Sequence, residues 1–64
     1  MKKTVKYFIE LDENSSDDYW FRIMHINGQI IMTSEMYTRK ATRTRIANNL
    51  SKASGFPVAI STGL

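Results

Sequence analysis

Along residues 4–11 apolar and polar side chains alternate, with Val5, Tyr7, Ile9 and Leu11 on one face and Lys6, Phe8 and Glu10 on the other. A period of two in residues of high β propensity predicts a strand. Residues 12–18 are polar and rich in Asp, Asn and Ser, which predicts a loop. Two further apolar runs, residues 19–26 and 29–36, flank the dipeptide Asn27-Gly28. Asn and Gly tolerate the positive φ that both central residues of a type I′ turn require, so the two runs predict a tight β-hairpin.

A two-residue turn fixes the register. On one face it pairs His25 with Ile30, Ile23 with Met32, Phe21 with Ser34 and Tyr19 with Met36. This set is mostly apolar and is assigned to the core. The other face pairs Ile26 with Gln29, Met24 with Ile31, Arg22 with Thr33 and Trp20 with Glu35. It still carries Trp20, Met24, Ile26 and Ile31, more apolar surface than a solvated sheet face normally shows, and is a candidate interface. Cover by a loop or terminus is the alternative.

Thr42 is placed to cap a helix over residues 43–53, in which Ile46, Ala47, Leu50 and Ala53 form a narrow apolar stripe. Gly55 suits the left-handed position past the helix end, and Pro57 bars continuation. Residues 56–61, with Val58 and Ile60 on one side, predict a short fourth strand with Pro57 at its start or edge. The order βββαβ predicts an α+β fold with an antiparallel sheet and one helix packed on one face, residues 1–64 forming a single domain.

With 64 residues the chain is near the lower limit for a self-sufficient core. It has no cysteine and one histidine, His25, so neither a disulfide nor a metal or other cofactor is expected to staple it. A second subunit is the staple left open. No apolar run approaches the length of a transmembrane helix. Met1-Lys2-Lys3 is not followed by the apolar stretch of a signal peptide, because Lys6 and Glu10 interrupt it. The expected compartment is therefore the cytoplasm, with no membrane partner.

The net charge of +3 conceals a segregation. Residues 7–18 hold five acids (Glu10, Asp12, Glu13, Asp17, Asp18) and no base, whereas residues 36–64 hold five bases and no acid. Four of those bases, Arg39, Lys40, Arg43 and Arg45, gather at the predicted helix N-terminus. Cations oppose the macrodipole there, while the exposed N–H groups favour anions. The cluster is a candidate site for phosphate, nucleic acid or an acidic protein surface, a plain solvated surface being the alternative. On this placement, exchanging Arg43 and Arg45 for Glu is expected to leave the fold intact.

Candidate chemistry is otherwise sparse. His25 has no Ser, Cys or Asp placed to form a triad. Residues 12–17 lack the glycine and closing Glu of a calcium loop. Arg22 and Glu35 lie within diagonal reach on adjacent strands and are expected to pair. No enzymatic constellation emerges.

Tyr7-Phe8-Ile9, Trp20-Phe21-Arg22, Asn27-Gly28-Gln29-Ile30-Ile31 and Thr33-Ser34-Glu35, with Tyr37, Lys40 and Ala41, resemble the YegP-like family over roughly residues 7–50. The resemblance implies βββαβ units that assemble in pairs, in tandem or as two subunits, into one sheet with exchanged C-terminal strands. It carries no catalytic residues. Departures from the family pattern are Met36 after Ser34-Glu35, Ile46-Ala47 in the helix, and Arg43 and Arg45 in its first turn. The expectation is a non-enzymatic homodimeric binding module, a small accessory protein. Its dimer or partner surface would draw on Trp20, Met24, Ile26, Ile31, Phe56, Val58 and Ile60. The alternative is a nucleic-acid or phosphate binder using the basic cluster.

Overall fold

A computed structural model of the chain describes residues 6–60. Strands β1 (Tyr7–Glu13), β2 (Tyr19–His25) and β3 (Ile30–Thr33) are followed by helix α1 (Lys40–Ser54) and strand β4 (Val58–Ile60). They form one four-stranded sheet in the order β3-β2-β1-β4. The βββαβ order is the expected one. The expected antiparallel sheet needs one correction, because β4 runs parallel to β1, with Ile9 opposite Val58 and Leu11 opposite Ile60. The helix returns the chain to the end at which β3 began, and such a crossover makes the next strand parallel. Residues 4, 5 and 61 of the expected outer strands lie outside the described residues.

β1 runs past the expected loop boundary because Asp12 and Glu13 still pair with Trp20 and Tyr19. The loop that follows is organised by one side chain. Asn14 Oδ1 accepts the N–H groups of Ser16 and Asp18, each at 3.0 Å, and Asn14 N–H donates to the Asp18 carbonyl at 3.1 Å. Asp17 takes φ 61°, a left-handed conformation that Asp tolerates better than most residues.

The hairpin exists, but its turn is not type I′. Among described residues other than glycine only Asp17 has positive φ, so Asn27 does not; Gly28 does, at 95°. Gly28 N–H donates to the His25 carbonyl and His25 N–H to the Gln29 carbonyl, both at 2.8 Å. This is a three-residue loop, Ile26-Asn27-Gly28, with glycine alone in the left-handed position. Asn27 favours it, because its Oδ1 accepts Gln29 N–H at 2.9 Å. The longer loop shifts the first pairs, so that Ile30, not Ile31, lies opposite Met24. A bulge between Ile23 and Met24 then returns the ladder to the expected pairs Ile23–Met32 and Arg22–Thr33. Beyond Thr33 the Ser34 hydroxyl accepts Phe21 N–H at 3.0 Å, and Tyr19 pairs with Tyr37 in place of Met36.

The core lies between α1 and one sheet face. Ile9, Leu11, Phe21 and Ala47 are buried together, with Ile23, Tyr37, Ile46, Leu50, Phe56 and Val58 packed around them. The Phe21 and Tyr37 rings stack, with centroids 6.4 Å apart. α1 touches β1, β2 and β4 but not β3. The whole of β3 is consequently exposed, and Ile30 and Met32, expected in the core, lie outside it.

The helix starts three residues before its expected position. Its N-cap is Arg39, which makes no side-chain cap hydrogen bond, so Thr42 is not the cap. At the other end Gly55 takes φ 81° and its N–H donates to the Ser51 carbonyl at 2.8 Å, the left-handed cap that its position suggests.

A Cβ added to Gly28 would meet nothing within 4 Å, so its substitution isolates backbone strain. Gly28→Val is expected to lower stability by on the order of 1–3 kcal/mol, read as a drop in thermal melting temperature. An unchanged melting temperature would refute the turn assignment.

Candidate functional site

The basic cluster does not stand as a unit. Arg43 is only 2% exposed. Its Nη1 donates to the backbone carbonyls of Asp12 (2.5 Å) and Trp20 (3.3 Å), and its Nε to the Thr44 hydroxyl (3.2 Å). Its guanidinium lies 5.6 Å from the centroid of the Tyr19 ring and 3.9 Å from a Glu13 carboxylate oxygen. Arg43 therefore fastens the helix to β1 and β2, and its charge is not available to an outside anion. The missed signal was positional: Arg43 lies three, four and seven residues before Ile46, Ala47 and Leu50, on the same helix stripe.

Lys40 pairs with Glu13 at 3.6 Å, with both side chains more than half exposed, a contact of little energetic weight. The exposed Arg39 and Arg45 line a shallow, open depression with Ala41 and Thr42 at the uncapped helix end, where the first turn has no acid. The four-cation site thus reduces to Arg39 and Arg45, with Lys40 at the edge. A second small hollow lies between Leu11 and Ile60, rimmed by Glu13, Lys40 and Thr44.

The sheet face opposite the helix carries an ion cluster. Arg22 Nε donates to Asp12 at 3.0 Å and to Glu10 at 3.1 Å, and its Nη2 also contacts Glu10. These partners replace the expected Glu35. Glu10 lies directly opposite Arg22 on the neighbouring strand, whereas Glu35 lies beyond the end of β3. The Glu10 hydrogen bond and the two nearby carboxylates outweigh desolvation and hold the guanidinium pKa above its ordinary value. The chain-wide charge segregation is thus partly met within one molecule, by Arg22 with Glu10 and Asp12 and by Lys40 and Arg43 with Glu13.

The expected association surface also divides. Met24 is buried and Trp20 half-buried on the open face. Phe56 and Val58 pack against the core, and the Phe56 ring meets Tyr7 at 5.6 Å. Ile26, Ile31 and Ile60 are exposed, Ile60 to 77%. Ile30, Met32 and Met36 join them, so the exposed apolar side chains concentrate on the hairpin turn, β3 and the residues after it. His25 sits at that end, its Nδ1 accepting Asn27 N–H at 3.1 Å and its ring edge-on to Tyr7.

The burial of Arg43 reverses one expectation. Arg43→Glu sets a carboxylate against two carbonyls and removes charge-assisted bonds, a loss on the order of 3 kcal/mol or more. Arg45→Glu, on exposed surface in the second turn of α1, is expected to be near neutral. Chemical denaturation of the two single variants separates them; equal midpoints would overturn the anchoring role of Arg43.

A family model described as "Domain of unknown function (DUF1508)" matches residues 14–54. No curated protein and no solved structure matches the chain. The matched span takes in the β1–β2 loop, the hairpin and all of α1, more than half of the chain. The chain belongs to the DUF1508 family, the domain that defines YegP-like proteins.

Proposed function

We propose that the chain is a non-enzymatic binding module, a small accessory protein that works as a homodimer. The observation that carries this reading is the distribution of its apolar side chains. The central core holds four buried residues, Ile9, Leu11, Phe21 and Ala47. Six large apolar residues on the turn, β3, the segment after it and β4 stay more than two-fifths exposed: Ile26, Ile30, Ile31, Met32, Met36 and Ile60. A domain of this size gains much of its stability from a staple, and a second copy supplies one without cysteine or metal. Apolar edge strands are also the usual sites at which sheets recruit another chain.

The dimer forms by exchange of β4. This strand has three residues and is joined to α1 through Gly55-Phe56-Pro57, so it can pair with the β1 of either copy in the same register. The β3 edge then remains for a partner protein. A polyanion partner has weaker support, since Arg43 is buried and Lys40 faces Glu13, which leaves Arg39 and Arg45 as the exposed cations of the cluster that pair with no carboxylate among the described residues.

Sedimentation is expected to give a dimer at micromolar concentration. Inserting three flexible residues after Gly55 favours closure within one chain and is expected to shift the population to monomer. Ile31→Lys at the opposite edge is expected to leave the dimer intact. A folded monomer of the unmodified chain overturns the dimer, and a dimer indifferent to the insertion overturns the exchange. Wild type that binds no DNA or RNA at low salt removes the polyanion reading.

A further inference from the structure

We propose that Asn27 is a latent modification site, an asparagine primed for deamidation that the hairpin turn keeps closed. The primed chemistry comes from its neighbour. Gly28 has no side chain to hinder approach of its backbone nitrogen to the Asn27 side-chain amide. In the reaction the Gly28 amide loses its proton, and its nitrogen bonds to Asn27 Cγ. The Cγ–Nδ2 bond breaks and Nδ2 leaves as ammonia with the proton. The resulting five-membered imide is opened by water at either carbonyl. One opening gives Asp, and the other gives isoaspartate, in which the main chain runs through Cβ.

Residues 26–29 are exposed, so water and base reach this bond. What restrains it is the hydrogen bonding of the turn. The attacking group, Gly28 N–H, is donated to the His25 carbonyl at 2.8 Å, and deprotonation sacrifices that bond. The group attacked is also held, since Asn27 Oδ1 accepts Gln29 N–H at 2.9 Å. A third bond, Asn27 N–H to His25 Nδ1 at 3.1 Å, fixes the backbone between them. Three successive N–H groups are therefore engaged, two by His25 and one by Asn27 itself. The reaction waits for local opening, and its rate reports how often the turn opens.

The two products differ in consequence. Asp at position 27 keeps an acceptor for Gln29 N–H and suits the turn. Isoaspartate adds a methylene to the main chain between Asn27 Cα and Gly28 N, which displaces the Gly28–His25 bond. The loop then no longer closes in the register that carries β3. An opening event at the exposed apolar edge is thereby made permanent.

The test follows the intact chain by mass spectrometry at mildly alkaline pH, native and in guanidinium chloride. Isoaspartate is read in the tryptic peptide spanning residues 23–39, which contains Asn27. Amide exchange at Gly28 is measured in parallel. In denaturant Asn27 is expected to react faster than Asn48 and Asn49, and at least about tenfold faster than in the native chain, as gating by local opening requires. The native rate is expected to track Gly28 exchange across temperature. Equal native and denatured rates overturn the shelter. A slow native rate with unprotected Gly28 N–H overturns the mechanism. An Asn27 no faster than Asn48 and Asn49 in denaturant overturns the site.

Discussion

The guanidinium of Arg43 fixes how helix and sheet meet. An arginine keeps its charge at any pH compatible with folding, so burying it demands permanent compensation. Two backbone carbonyls, those of Asp12 and Trp20, provide it, with Glu13 and the Tyr19 ring nearby. These groups sit on paired strands at one end of β1 and β2, so the same contact ties the helix to both. Four residues on, Ala47 is fully buried, and its small side chain lets α1 lie close against Ile9, Leu11 and Phe21. The uncapped start of α1 follows from this anchor. The helix begins where it must to bring Arg43 over the strand ends, and no side-chain acceptor marks that point.

The same logic governs the opposite face. Arg22 with Glu10 and Asp12 places three charges in the middle of a sheet surface that also carries Trp20 and Met24. A one-residue slip between β1 and β2 would send Arg22 and its acids toward opposite faces and bury unpaired charge in the apolar layer. The cluster thus selects the register, whatever its net contribution to stability. The phenol of Tyr19, on the helix side, shows the surrounding field in another way. Desolvation, with Asp17 and Glu13 close by, raises its pKa above the ordinary value, while Arg43 opposes the shift.

Much of the fold was legible in local pattern, and what was not legible is non-local. The hairpin, its far register at Ile23–Met32, the loop before Tyr19, and the stop at Gly55 and Pro57 follow from period and from residues with restricted backbones. The turn type did not, because Asn27-Gly28 serves both two- and three-residue loops, and the choice rests on His25 and Gln29 contacts. The direction of β4 did not, because a three-residue strand carries no sign of its partner. Arg43 stayed hidden because charge argues for surface, although its spacing argued for the stripe. Of the candidate cations, position in sequence could gather four, but only side-chain packing could say which of them faced solvent.

Geometry also explains why apolar surface is left over. A helix with its side chains is about 10 Å across, and neighbouring strands lie about 4.8 Å apart, so one helix spans two or three strands. α1 accordingly covers β1, β2 and β4 and leaves β3 bare. The described residues offer a single helix to the four-stranded sheet, and among them the second sheet face has none. Ile30, Ile31 and Met32 are therefore not surplus to a finished core. They are the apolar positions that one helix cannot reach, and their burial requires residues from outside this layer. The small core and the apolar edge are two results of the same shortage of helical cover.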